Sequence, residues 1–487
     1  MRETPSLDPE DWPAFRALAR RMLEATLDHM EGAVARPVWR ETPPEARAAL
    51  RAPVPWEGAG AEAAAEAALE HILPFATGNT HPRFFGWVHG SGTPGGLIAE
   101  ILAAAMNANC GGRDHAAILV ERQVIEWCRE SFGFPEGAGG LVLSGTSMGT
   151  VLALLAARER AAPGARKRGV GAARLTGYAS AESHSCIARA FDQIGLGTEA
   201  LRLIPVDGDF RMRIEPLREA IRADREAGAL PFLLVGAAAT VNTGATDDLS
   251  ALADIAEEEG LWLHVDGAFG ALAALAPALA PRLKGMERAE SLAFDFHKWA
   301  HVNYDAGAVL VRERSALLEA FGQGADYLAG MPRGLGGGKP WPSDMGIELS
   351  RGFRALKVWF ALKEHGLNRI GEKIAENVAC AARLARLAEA AEDFELLAPC
   401  PLNIACLRWA PPGFAGDLDI LNREIVMRLQ EGGLAAPSTT MIRGRLAIRV
   451  NVTNHRTRAE DMDILFEAIR RTGKAALPPL ATRARPG

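Results

Sequence analysis

A lysine and an aspartate close two apolar runs in this chain, where an unpaired charge is expensive. Lys298, in His297-Lys298-Trp299, follows Ser291-Leu292-Ala293-Phe294-Asp295-Phe296, and Asp266 closes Leu261-Trp262-Leu263-His264-Val265. Both runs read as buried strands. Apolar surroundings lower the cost of a neutral amine, which makes Lys298 a usable nucleophile toward an aldehyde. Asp266, in contrast, needs a cation to be buried at all. The protonated nitrogen of a pyridine ring would supply one. On neighbouring strand ends, the two residues provide what pyridoxal 5′-phosphate requires: one Schiff-base partner and one pyridinium partner. His264 and Asp266, two apart on one strand face, also read as metal ligands. No third ligand at suitable spacing accompanies them, so His264 is placed behind the site rather than in it.

Such a cofactor needs a phosphate cradle, and Ser144-Gly145-Thr146-Ser147-Met148-Gly149-Thr150 has the composition for one. It joins a short strand at 141–143 to a helical stretch at 151–160. A turn of this kind aims backbone N–H groups from the positive end of a helix dipole. Gly145, Thr146 and Ser147 are the expected contacts, although an ordinary helix cap has the same composition. His184 follows a strand at 176–180, at the carboxyl edge where open α/β sheets bind ligands. An imidazole there could stack on a cofactor ring and pass protons near neutral pH; a capping or surface histidine reads the same locally. Thr240 ends Gly236-Ala237-Ala238-Ala239, whose small side chains permit the close approach of a flat ring. The following Asn242-Thr243-Gly244 reads equally as a plain turn.

These residues fall in a stretch of strand–helix alternation that begins near Gly140. Further strands are expected at 201–206 and 232–235, and a helix at 250–259 that Gly260 stops. Such alternation means an α/β fold, a mostly parallel sheet flanked by helices on both faces. Residues 1–90 read as a helical, alanine-rich segment, with a helix at 61–73 stopped by Pro74. A large domain then covers 91–355, and a small C-terminal α/β domain covers 356–487, with its clearest strand at 446–452. Glycines and prolines interrupt the pattern at 331–344. Loops of that length inside a compact domain are usually lids or disordered segments.

Bulk properties exclude other classes. The 487 residues can bury a large core, and the formal charge of −6 is mixed along the chain, which argues against a nucleic-acid partner. The basic cluster Arg166-Lys167-Arg168 reads as a solvated loop. The six cysteines (Cys110, Cys128, Cys186, Cys380, Cys400 and Cys406) form no CxxC pair and no zinc-like spacing, which suits a reducing cytoplasm. Residues 1–20 carry acids and prolines without an apolar core, unlike a secretion signal. The longest apolar stretch, 267–280, is broken by Pro277 and is too short to span a bilayer. A soluble cytoplasmic protein without a structural metal is expected.

Beyond these local readings, the chain resembles the group II pyridoxal-phosphate amino-acid decarboxylases, which include aromatic-amino-acid and glutamate decarboxylases. The resemblance rests on His81-Pro82-Arg83-Phe84-Phe85-Gly86; on the 144–150 turn leading into Leu154-Leu155-Ala156-Ala157-Arg158; and on Ser183-His184-Ser185. It continues through His264-Val265-Asp266-Gly267-Ala268, His297-Lys298-Trp299 with Val302-Asn303-Tyr304-Asp305, and Arg351-Gly352-Phe353-Arg354-Ala355-Leu356-Lys357. The segments keep the family's order over residues 80–360 or so. The resemblance implies a fold-type I homodimer whose N-terminal helical segment packs on the partner. It implies that Lys298 forms the Schiff base, Asp266 pairs with the pyridine nitrogen and His184 stacks on the ring. Gly145, Thr146, Ser147 and His297 would hold the phosphate, and Ala268 would pack beneath the ring. Ser350 matches a residue that the other subunit donates near the phosphate.

Two departures from the family bear on the reaction. Its decarboxylases carry a loop tyrosine, ahead of the Arg-x-Phe-Arg segment, that is credited with reprotonating the substrate carbon. Here that region reads Pro340-Trp341-Pro342-Ser343-Asp344-Met345. Relatives with phenylalanine in place of the tyrosine resemble aldehyde synthases, which couple decarboxylation to oxygen-dependent deamination. The strip after Phe84-Phe85 is Gly86-Trp87-Val88-His89-Gly90, where aromatic-specific relatives have a Tyr-Phe-Pro-Thr type of sequence. Trp87 and His89 are the expected substrate contacts, His89 as a substitute acid or as a plain loop histidine. Phe84, Phe85 and Trp87 suit a flat or apolar side chain, or serve as core. An acidic substrate would want an arginine such as Arg83 or Arg113. The expected reaction is decarboxylation of an aromatic L-amino acid to its amine and carbon dioxide, the proton coming from His184, Tyr327 or Lys298. The alternatives are an oxygen-using aldehyde synthase, a carbon–carbon lyase of the same fold resembling sphingosine-phosphate lyase, and a non-catalytic binding protein.

Overall fold

The computed structural model describes residues 6–322 and 330–483. The first strand, β1 (Phe84–Phe85), belongs to a smaller sheet considered below. The large sheet is built from β2 (Gly139–Leu143), β3 (Leu175–Ser180), β4 (Leu201–Ile204) and β5 (Leu230–Ala237), with β6 (Trp262–Asp266), β7 (Ser291–Asp295) and β8 (Gly307–Val311). Its order is β2-β8-β7-β6-β5-β3-β4. Only β8 is reversed, pairing antiparallel with β2 and β7; the other neighbours run parallel. The central strands are buried on both faces, which is why they read as unbroken apolar runs rather than alternating ones. The helix Thr146–Ala161 covers one face and packs on β6, β7 and β8.

Register places the chemistry. Ala237 of β5 pairs with Asp266 of β6, and Asp266 pairs with Ala293 of β7, so the three strands end at one edge. Thr240, Asp266 and Lys298 follow from those ends. A five-stranded sheet in the order β1-β11-β12-β10-β9 combines β1 with β9 (Phe394–Leu396), β10 (Ile404–Trp409), β11 (Ala436–Ile442) and β12 (Arg445–Asn451). Strand β1 pairs parallel with β11, Phe84 opposite Ala436, so the strip at 86–90 leaves the edge of the C-terminal sheet and crosses toward the large one. Gly90 makes that crossing possible: a Cβ there would lie 2.2 Å from the His297 carbonyl oxygen and 2.3 Å from that of Lys298.

Two expected segments differ in detail. The helix expected at 61–73 is Gly60–His71, and Pro74 sits in a following 3-10 turn, Leu73–Phe75, where its missing N–H is harmless. The glycine-rich segment at 331–344 is anchored rather than loose. The Trp341 indole is buried and donates to the Gly337 carbonyl at 2.7 Å, with the Arg113 guanidinium 4.6 Å from its ring. Among the described residues no helix is long and apolar enough to cross a membrane, and none of the six cysteines is paired.

Buried histidines make this fold sensitive to acid. Burial pushes His264 down to about 3; burial, with Arg83 and Arg456 respectively, pushes His81 and His455 down to about 4. Between those values and the ordinary imidazole range, the unfolded chain binds protons that the folded chain refuses, so stability falls as pH drops. Asp247 acts oppositely: burial pushes its carboxyl up to about 6, so the folded form binds the extra proton. Three histidines outweigh one carboxyl, and a lower calorimetric melting temperature at pH 5 than at pH 7 is expected. An equal or higher value at pH 5 would contradict this balance.

Candidate active site

The carboxyl edge of the large sheet opens into a cavity of about 580 Å³, which also touches the 86–90 strip and the C-terminal sheet. Eleven of the residues singled out from sequence line it: Trp87, His89, Gly145, Thr146, Ser147, His184, Thr240, Asp266, Ala268, His297 and Lys298. Ser350 does not; it is exposed, away from this cavity. His264 stands behind the site, fully buried, with Nδ1 2.9 Å from Ser291 Oγ and Nε2 3.3 Å from Thr150 Oγ1. Among the described residues no cluster could hold a metal ion.

The residue that sequence reasoning missed is Asp295. It ends β7, is buried, and places Oδ2 2.9 Å from Lys298 Nζ and 3.7 Å from His297 Nε2. Its Oδ1 accepts the Thr146 backbone N–H at 2.7 Å. Two expectations change as a result. The apolar setting was expected to favour the neutral amine, and burial does pull Lys298 down. The Asp295 carboxylate outweighs that effect and leaves Lys298 above its ordinary range. The turn was also expected to offer its N–H groups freely, yet the one on Thr146 is engaged. The available signal was a carboxylate interrupting an apolar run three residues before a lysine, one helical turn away.

The other groups are held in defined states. Burial raises the Asp266 carboxyl, with Lys298 opposing, while its Oδ1 accepts the Ala268 N–H at 3.1 Å. His297 Nδ1 accepts the Ala306 N–H at 3.1 Å, so a neutral ring carries its proton on Nε2, toward Asp295. Burial pulls His297 down and keeps it neutral, against Asp295. His184 Nδ1 accepts the Cys186 N–H at 3.2 Å, which leaves Nε2 as its donor. Thr240 Oγ1 lies 3.1 Å from Thr243 Oγ1.

An aromatic wall closes one side. The rings of His89, Phe84 and Trp87 form a three-way cluster, with the His89 centroid 5.7 Å from each of the others and Phe84 6.3 Å from Trp87, and His89 meets the edge of Tyr304 at 6.0 Å. Tyr304 in turn packs on His297 at 4.3 Å. It is a cavity residue that sequence reasoning left unassigned; Tyr327 lies outside the described residues. Neither arginine considered for an acidic substrate reaches the cavity. Arg83 donates to the Leu434 carbonyl and pairs with Asp461, while Arg113 covers Trp341. The arginine that does line it, Arg449, donates to the carbonyls of Val241, Asn242 and Trp87.

These groups suit pyridoxal phosphate. A lysine, a buried carboxylate at the next strand end and a helix amino terminus share one cavity, and the cradle holds a buried hydroxyl, Thr146 Oγ1, without a hydrogen-bond partner. Asp295 is the discordant element, a negative charge at the edge of a phosphate cradle. Comparison with known proteins agrees. Residues 43–409 match the model of the pyridoxal-dependent decarboxylase conserved domain. The chain belongs to that family. It is 30% identical to an aromatic-L-amino-acid decarboxylase of Bacillus atrophaeus over 453 residues, 92% of this chain and 93% of that one. It is 28% identical to a 4-hydroxyphenylacetaldehyde synthase of Rhodiola rosea, covering 86% and 87% of the two chains. Among solved structures, that of Oryza sativa TDC with PLP and tryptamine superposes with a TM-score of 0.89 at 25% identity, covering 97% of this chain and 100% of that one. The protein is a fold-type I, pyridoxal-phosphate-dependent carboxy-lyase of the amino-acid decarboxylase family.

Asp295→Asn keeps an oxygen for the Thr146 N–H but removes the charge beside Lys298. Its neutral amine then forms at lower pH. The pH profile of pyridoxal-phosphate uptake, followed by visible absorbance, is expected to move to lower pH. A profile identical to that of the unaltered protein would show that Asp295 does not set the lysine's state.

Proposed function

We propose that the protein decarboxylates an aromatic L-amino acid to its amine, with Lys298 carrying the cofactor's aldehyde carbon as a Schiff base. The observation that supports the substrate class is the aromatic wall of Trp87, His89 and Tyr304, backed by Phe84, in the cavity that holds Lys298 and whose arginine is already bonded to backbone carbonyls. A flat apolar side chain gains contact area there, whereas a side-chain carboxylate would lose water without gaining a free cation. The names of the curated relatives point the same way.

Bound pyridoxal phosphate supplies the electron sink that accepts the bonding pair as carbon dioxide leaves. The chain's own residues do the rest. Asp266 holds the proton on the pyridine nitrogen, which keeps the ring electron-poor. His184 stacks on the ring with Nε2 available as a proton donor, and Thr240 and Ala268 flank it. Gly145, Thr146, Ser147 and His297 hold the phosphate. The proton that completes the amine comes from His184, Tyr327 or Lys298; Tyr304 is the phenol that lines the cavity among the described residues.

The assembly we propose is a cytoplasmic homodimer, in which Ser350 of one chain approaches the other's cofactor. Its support is an apolar stripe on the helix Pro94–Met106, where Ile98, Ile101, Leu102 and Met106 are exposed at one-turn spacing. A second reading, the oxygen-dependent aldehyde synthase, is favoured by the absence of tyrosine from 340–345 and by the Rhodiola rosea relative.

Mass-spectrometric product analysis, with the protein supplied with pyridoxal phosphate and a panel of L-amino acids in air, separates the readings. The amine of an aromatic amino acid is expected. An aldehyde with matching peroxide would replace this proposal by the second reading, and an amine from an acidic amino acid alone would overturn the substrate class.

A further inference from the structure

Behind the cavity, four buried side chains link the large sheet to the helix that carries the phosphate cradle. The Trp262 indole donates to Ser291 Oγ at 2.7 Å. Ser291 Oγ lies 2.9 Å from His264 Nδ1, and His264 Nε2 lies 3.3 Å from Thr150 Oγ1. Both ring nitrogens are engaged, whichever of them carries the proton, and burial keeps the ring neutral. His264 does not line the cavity, so whatever it contributes to the reaction must pass through Thr150.

The two partners sit where a small shift matters. Thr150 follows Thr146 by one turn of the helix Thr146–Ala161, and His264 precedes Asp266 by two residues of β6. Residues two apart in a strand share a face, so Asp266 and His264 lie on the side of β6 that this helix covers. From the His264–Thr150 contact, helix and strand run together toward the cavity edge. The helix reaches its amino end after ~6 Å, and the strand reaches Asp266 after ~7 Å. Gly149 permits the close approach: a Cβ there would lie 3.1 Å from Ala293 Cβ and 3.3 Å from Val309 Cβ. Asp295 ties the helix to β7 through the Thr146 N–H, whereas His264 ties it to β6, the strand that carries Asp266.

We propose that His264 is a positioning residue which, through Thr150, sets the span between the phosphate cradle and Asp266. This rests on the reading above, which gives the phosphate to the cradle and the ring nitrogen to Asp266. A helix displaced along β6 would leave Lys298 and Asp266 in place for the ring, but would move the cradle away from the phosphate.

The test compares uptake of pyridoxal phosphate with uptake of pyridoxal, which lacks the phosphate, by the full chain, followed by visible absorbance. Thr150→Val keeps the side-chain shape and removes the hydroxyl; Thr150→Ser keeps the hydroxyl. Thr150→Val is expected to bind pyridoxal phosphate about tenfold more weakly with its pyridoxal affinity unchanged, and Thr150→Ser to recover most of that loss. His264→Asn keeps a polar group for Ser291 but falls short of Thr150, and should behave as Thr150→Val does. Equal losses for both aldehydes, no loss for either, or a Thr150→Ser variant as weak as Thr150→Val would overturn the inference. If the unaltered chain binds pyridoxal as tightly as pyridoxal phosphate, the cradle assignment itself fails, and the inference with it.

Discussion

Strands covered on both faces can carry charge only where they end, and the rest of this site follows from that constraint. Strands β5, β6 and β7 are buried throughout, and their carboxyl ends lie side by side. Asp266 and Asp295 take the last positions of β6 and β7, with Lys298 one helical turn further on. Each charge would be prohibitive alone; together they compensate one another in a cavity largely shielded from water. The same geometry brings the amino end of the helix Thr146–Ala161 against Asp295, because β2 lies beyond β8 in the same sheet.

The ion pair between Asp295 and Lys298 is where this chain's chemistry departs from a simple buried-lysine picture. A lysine surrounded only by apolar groups would lose its proton readily; one 2.9 Å from a carboxylate keeps it. The site thus holds Lys298 charged and in place. His297, kept neutral by burial and bonded through Nδ1, lies beside this pair and packs on Tyr304 of the aromatic wall.

Much of this was legible in the sequence because burial leaves strong marks. Unbroken apolar runs gave away doubly covered strands, and residues that end them, such as Asp266, stood out as anomalies. The 144–150 turn and His184 could be placed by position relative to those strands. Asp295 was hidden because it lies inside a run that ends two residues later, at His297, and nothing local says that its side chain turns back toward the lysine. Tyr304 was hidden for another reason. Its place against His89 is set by a contact between segments more than two hundred residues apart, one of them anchored by the pairing of β1 with β11.

The central claim is that Lys298 is the residue to which the cofactor is joined. Borohydride reduction of the pyridoxal-phosphate-loaded protein, followed by proteolysis and mass spectrometry, tests it directly. A phosphopyridoxyl group on the peptide containing Lys298, and on no other lysine, is the predicted result. The same group found on a different lysine, or still incorporated at full yield in Lys298→Ala, would contradict the account.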